Sequence, residues 1–209
     1  MILTIAQQKG GAGKTTLAAQ LAGCWAARGR RVAVVDIDDQ GSLARWAAWR
    51  AERSPERPAV TARALSGWRL DGELAGLDRD HDVVIVDTPP EAENDARRAV
   101  RAADLVLVPV QPNPFDVGAT RPTLDLARAE KRPVLLILNR VAPRAKLAQT
   151  MIDAVMGLGM PVADTRFANR TGFAASLVDG LSVVEAEPRS AAAREVEALI
   201  AEIEAAVGR

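Results

Sequence analysis

The octet Lys9-Gly10-Gly11-Ala12-Gly13-Lys14-Thr15-Thr16 constrains this chain more than any other stretch. It follows a short apolar run, Met1-Ile2-Leu3-Thr4-Ile5-Ala6, that reads as a buried strand. It precedes Leu17 to Arg28, where Leu17, Leu21 and Cys24 recur at helical spacing. Strand, glycine-rich turn and helix, in that order, form the context a phosphate-binding loop requires. Glycine lets the backbone reach conformations closed to other residues and come close to a ligand. Successive N–H groups then converge on phosphate oxygens, with the helix N-terminus adding positive potential. On this reading Gly10, Gly11, Ala12, Gly13, Lys14, Thr15 and Thr16 are nucleotide-binding. Lys14 reaches the β- and γ-phosphates and the Thr15 hydroxyl ligates Mg²⁺. The plainer alternative is a glycine-rich turn with two solvated lysines, but two of the chain's four lysines fall within these eight residues.

A chain of 209 residues fits one domain, 1–209, with a substantial core. The formal net charge is zero, so any binding to nucleic acid or lipid must come from a local patch. Cys24 is the single cysteine, which excludes a disulfide framework and a cysteine metal cage, and its place on an apolar helix face reads as core. There is no basic leader with a cleavage site, and no apolar run approaches the roughly 20 residues that span a bilayer. These features lead to the expectation of a cytoplasmic protein.

Further β-rich runs follow at intervals filled by helical patterns. They are Arg31 to Asp36, Val83 to Asp87, Leu105 to Val110 and Val134 to Asn139, with Val60 to Leu65 and Met160 to Ala163 as candidates. The alternation implies an α/β fold, a doubly wound and mostly parallel sheet flanked by helices, with ligand at the carboxyl ends of the strands. Two of those ends carry acids. Asp36 and Asp38 share a side of an extended chain and suit a Mg²⁺ shell and the orientation of an attacking water. An acidic cap before a helix starting near Leu43, with Ser42 as N-cap, is the bland alternative. Asp87 closes an apolar strand in the manner of a Walker B aspartate and would hold Mg²⁺, directly or through water. Trp46 and Trp49 read as packing anchors, and His81 is assigned no chemistry.

The generic P-loop pattern asks for glycine where this chain has Gln8. The form present, with Lys9 opening Lys-Gly-Gly-x-Gly-Lys-Thr, is the deviant Walker A motif, and it resembles the ParA/MinD family of dimeric ATPases. The resemblance runs nearly the whole chain, to the short ParA type, and makes the fold a P-loop NTPase. It implies ATP and Mg²⁺ as cofactors, with Lys9, Lys14 and Asp38 catalytic. Lys9 would reach the partner's nucleotide in a homodimer formed on ATP, and Asp38 would be the hydrolytic aspartate. The metal set would be Thr15, Asp36 and Asp87, with Asp36 either in the metal shell or structural. Asp39 stands where the family usually has proline, leaving that loop less rigid. Thr88-Pro89-Pro90 is similar to the second switch, and the Pro109 to Asp116 stretch to a region near the dimer interface. Asn139 matches the adenine-reading asparagine, with a simple turn asparagine as the alternative. The Arg166 to Glu185 segment looks like the second adenine-pocket loop. Arg140, Arg144, Lys146, Arg166 and Arg170 are the candidate contacts for non-specific DNA, unless they form a solvated face. The amphipathic last helix, Ala191 to Val207, is acidic, which argues against a membrane partner.

The expectation is therefore a nucleoid-associated ATPase that partitions plasmid or chromosomal DNA with a ParB-like adaptor. The alternatives are the same chemistry positioning a protein cargo, such as a chemoreceptor cluster or microcompartment, or a small-molecule ligase like dethiobiotin synthetase.

Overall fold

The computed structural model describes residues 1–90, 93–142 and 146–208. Seven strands form one sheet: β1 (Ile2–Ile5), β2 (Val32–Asp36), β3 (Val60–Ala64), β4 (Val83–Asp87), β5 (Leu105–Val110), β6 (Val134–Val141) and β7 (Val162–Ala168). Their order is β3-β2-β4-β1-β5-β6-β7 and every neighbouring pair is parallel. Both expected additional strands are present, as β3 and β7. β1 sits in the middle, in register with Val84 to Asp87 on one side and Leu105 to Leu107 on the other.

The strands read as unbroken apolar runs because both faces are covered. Leu3, Ile5, Val32, Val34, Ile85, Leu107 and Ile137 point to one face, under α1 (Lys14–Ala27), α2 (Ser42–Arg53) and α9 (Ala191–Ala206). Alternate residues, such as Val35, Val84, Val86, Val106 and Leu136, point to the other. That face is covered by α3 (Leu70–Asp80), α4 (Glu93–Ala102), α5 (Pro114–Ala129) and α6 (Lys146–Met156). Ile85 and Leu107 are fully buried, so truncating either to alanine costs about 2–5 kcal/mol.

Two local readings are corrected. Ser42 opens α2 but makes no cap hydrogen bond. Instead Asp36, at the end of β2, accepts from the Leu43 and Ala44 amides (2.8 and 3.0 Å) and supplies the cap from a distance. The proline-rich exit of β5 is a helix start: Asn113 accepts from the Phe115 and Asp116 amides and Pro114 takes the first helical position. Trp46 is buried as expected, and Arg53 lies over Trp49 at 5.0 Å. His81 is half-buried and bonded on both ring nitrogens, to the Leu77 carbonyl and the Thr61 hydroxyl. Three glutamates of α9 are engaged by the rest of the fold. Glu202 accepts from the Asp164 and Thr165 amides on the open edge of β7, Glu195 from Ala168, and Glu204 from the Trp25 indole.

Candidate nucleotide site

The loop after β1 turns into α1 through Gly11 and Gly13, both with positive φ. Gly13 is strongly favoured: φ 96 strains any other residue, and a β-carbon would lie 2.4 Å from the Asn139 amide nitrogen, which would have to move. Lys14, only 7% exposed, curls back to the Gln7 carbonyl at 3.0 Å. Burial holds its ammonium below the usual lysine range, with Asp87 and Asp38 pulling the other way. A phosphate arriving in the loop would meet an under-solvated cation already within the turn.

Thr15 and Asp87 come together as the motif reading requires. The Thr15 hydroxyl donates to one Asp87 carboxylate oxygen at 2.6 Å. The other Asp87 oxygen is buried without a hydrogen-bond partner. Burial pushes this carboxyl up to about 7; the Thr15 hydrogen bond opposes the shift, and Asp36 and Asp38 add to it. An orphaned buried oxygen beside a hydroxyl fits a hard divalent cation. Among the described residues no three His, Cys, Asp or Glu form a cage. Mg²⁺ keeps waters and takes phosphate oxygens alongside one or two protein ligands, which the Thr15 hydroxyl and the free Asp87 oxygen can supply.

The second strand end separates its two acids. Asp36 accepts three backbone amides, those of Asp38, Leu43 and Ala44. Of the two roles open to it, the hydrogen bonds are those of the structural one: its carboxylate organises the loop and caps α2. Asp38 is half-exposed and close enough to the loop to act on Lys14 and Asp87. One of its oxygens accepts from the Gln40 amide at 3.0 Å, which leaves the other to take a proton from water or orient it. Asp39 is exposed and adds charge at the rim.

Lys9 is not free. Its ammonium is paired with Asp116 of α5, a residue with a fully buried carboxylate, while Lys9 itself stays about one-third exposed. The rest of the loop leans on the same helix and on the turn before it. Gln7 donates to the Thr120 hydroxyl, the Gln8 amide to the Thr123 hydroxyl, and Gln111 holds the Gly11 carbonyl at 2.8 Å. None of these supports was picked out from the sequence. Asp116 stood within the proline-rich stretch, but 107 residues from its partner nothing marked the pairing.

Beyond Gly13 a cleft of about 260 Å³ opens between Thr16, Leu17, Asn139, Phe167, Thr171 and Phe173. The two phenylalanines stack at 4.9 Å and give it an apolar floor. Asn139 donates to the Ala12 carbonyl and its oxygen accepts from Arg140, which is held at φ 51. It thus braces the loop as well as lining the cleft. A larger cavity, about 390 Å³, is lined by Met1, Arg31, Asp82 and Val83 at the opposite ends of the strands, away from the glycine loop. The smaller cleft has the chemistry.

Of the five basic residues, three have described side chains: Arg140, Arg166 and Arg170. Arg140 and Arg166 are exposed, and strand alternation turns Arg166 away from the Ala163 and Phe167 side. Lys146 is the first residue of α6, and Arg144 lies outside the described residues. Arg140 and Arg170 both line the cleft, and the charge of Arg170 is taken by Glu195 at 2.7 Å. No helix among the described residues is long and apolar enough to cross a membrane.

Comparison with known proteins follows the same lines. Residues 3–183 match the CobQ/CobB/MinD/ParA nucleotide binding domain. The Maintenance of carboxysome distribution protein A of Halothiobacillus neapolitanus is 30% identical over 208 residues, covering 96% of this chain and 95% of that protein. The apo structure of McdA from Cyanothece superposes with a TM-score of 0.81 at 18% identity, over 97% of this chain and 98% of that one. An ATP complex of a variant McdA from Cyanothece gives 0.75, also at 18% identity, over 100% and 96%. The glycine loop, the paired strand-end acids and the parallel sheet all sit within the matched span, and the chain belongs to the CobQ/CobB/MinD/ParA family of nucleotide-binding domains.

Proposed function

We propose that this protein is an ATPase that dimerises on ATP and uses the cycle to position a cargo in the cell. The observation that carries the reading is the meeting of Lys14, Thr15, Asp38 and Asp87 at three adjacent strand ends, with a second lysine, Lys9, on the rim. ATP enters with its triphosphate in the glycine loop and its base in the Phe167–Phe173 cleft. Thr15 and Asp87 would hold Mg²⁺, which would supply positive charge to the phosphates. Asp38 orients a water in line with the γ-phosphorus and takes its proton. Lys14 and the loop amides meet the charge that develops on the transferred phosphoryl group. Lys9 leaves Asp116 and reaches the phosphates of the second subunit, so the sandwich forms only with triphosphate present.

The cargo is a protein assembly. What favours this over DNA partition with a ParB-like adaptor is the match, end to end, to a protein named for carboxysome distribution. The DNA surface, where one is used as a track, is the exposed Arg140 and Arg166 with Lys146. A ParB-dependent partition role is the second reading, and stimulation of turnover by a DNA-bound adaptor would favour it.

Sedimentation of wild type, Lys9→Ala and Asp38→Ala with Mg²⁺ and ATP, with hydrolysis followed in parallel, tests the proposal. A persistent Asp38→Ala dimer that hydrolyses at least about 100-fold more slowly, and no dimer for Lys9→Ala, is the expected result. A wild type that stays monomeric while turning ATP over would overturn it in favour of a small-molecule enzyme.

A further inference from the structure

The cleft's outer wall belongs to residues 171–187, a run of short turns that has little regular structure of its own: α7 (Gly172–Ala175), a 3₁₀ turn at Ser176–Asp179, and α8 (Val183–Ala186). Thr171, Phe173 and Ala174 of this run face the cleft. Two buried polar devices hold it in place, and nothing described so far uses either.

The first is Gln20, on α1 one turn past Thr16 and Leu17. It is a polar residue in the middle of an apolar helix, fully buried. Its amide nitrogen donates to the Phe173 carbonyl (2.8 Å) and the Ser176 hydroxyl (2.9 Å), and its oxygen accepts from the Val183 amide (2.7 Å). One side chain therefore staples both ends of the wall to the helix that begins at the glycine loop. A burial of this kind is tolerated only because every group finds a partner.

The second is the Arg50–Glu185 pair, with side chains 2% and 1% exposed. Arg50 makes a two-pronged contact to Glu185 (2.6 and 2.9 Å) and further donates to the Gly180 and Pro58 carbonyls. Glu185 in turn accepts from the Ser182 amide and hydroxyl. Gly180, at φ 70, lies so close to α2 that a β-carbon would sit 2.2 Å from the Arg50 Cα. Since a hydrophobic contact would stabilise such a site at least as well, a buried ion pair is more informative about geometry than about stability. The geometry here fixes the wall to α2, the helix that starts on the Asp38 loop.

We propose that Gln20 and the Arg50–Glu185 pair are positioning residues for the base end of the nucleotide site. They set the height of the Phe173 wall above Leu17, and so the affinity contributed by base and ribose, while the glycine loop alone sets the affinity for the phosphates. The inference rests on the nucleotide reading of the cleft given above.

Calorimetric titration with Mg·ATP and, separately, with Mg·tripolyphosphate tests it on wild type, Gln20→Met and Glu185→Gln. Methionine keeps the length of Gln20 and removes its three hydrogen bonds; the glutamine change keeps the shape of Glu185 and weakens its hold on Arg50. Wild type should bind ATP more tightly than tripolyphosphate. Gln20→Met should lose about tenfold or more for ATP, the equivalent of one or two buried hydrogen bonds, while tripolyphosphate stays within about twofold. Glu185→Gln should show the same split at smaller size and carries the test if Gln20→Met does not fold. Equal losses for both ligands would mean a role in stability only and would overturn the proposal, as would no loss for either. A wild type that binds tripolyphosphate as tightly as ATP would sink the base-cleft reading itself, and a wild type that binds neither would sink the nucleotide site.

Discussion

Asp87 is a carboxylate that the nucleotide-free protein holds at a cost, and replacing it by an amide should expose that cost as a pH slope. Its pKa, about 3.9 in an unfolded chain, is pushed up to about 7 in the folded protein, first by burial. A carboxyl that binds its proton more tightly when folded contributes stability below about pH 4. That contribution is lost as the pH climbs to about 7. Three pKa units at about 1.36 kcal/mol each make the full loss about 4 kcal/mol, of which about 3 fall between about pH 5 and about pH 8. Asp87→Asn has no such slope. It does place an NH₂ where an oxygen without a partner now sits, a pH-independent cost of about 1–3 kcal/mol. Urea unfolding at several pH values in that range should show the variant gaining on wild type by about 3 kcal/mol, and overtaking it at the alkaline end. Adding Mg²⁺ and ATP should reverse the order there, because only the carboxylate gains a cation. A stability gap that does not move with pH would refute the argument that this buried charge is kept for the metal.

Other consequences can be checked in the same way. Lys9→Ala leaves the fully buried Asp116 carboxylate unpaired. Because Lys9 is partly solvated, the expected cost is only about 1–2 kcal/mol, and Lys9→Ala/Asp116→Ala together should cost less than the sum of the two single changes in urea melts. Burial pushes the Cys24 thiol up to about 11, so a thiol reagent should modify the native protein at least about 100-fold more slowly than the unfolded chain. Glu202→Ala should cost about 1–3 kcal/mol and speed hydrogen exchange at the Asp164 and Thr165 amides, with other β7 amides unaffected.

What could be read from residues alone was what chemistry ties to short spacing. Lys14 and Thr15 must follow the glycines directly, and Asp87 must end a strand beside them, so both motifs announced themselves and the parallel sheet followed from the alternation around them. What escaped depended on distant partners. Asp36 lies two residues before Asp38 and looked like its companion, yet one of its oxygens turns to Leu43 and Ala44 because those amides start a helix that lacks a local cap. Arg166 and Arg170 lie four residues apart, but Arg166 is exposed within β7, while Arg170, past the strand's end, lines the cleft and pairs with Glu195 of the last helix. Gln20 carried a signal that could have been used: one amide in an otherwise apolar helix stripe marks a buried polar junction, though not what it joins.

The glutamates along β7 bear on how the molecule can associate. An open sheet invites another chain to dock its backbone on the last strand, and such pairing runs on without limit once started. Here the Asp164, Thr165 and Ala168 amides are already taken by carboxylates of the chain's own final helix. An incoming strand would have to displace them and then lie against acid. At this edge the fold is closed to growth by sheet extension.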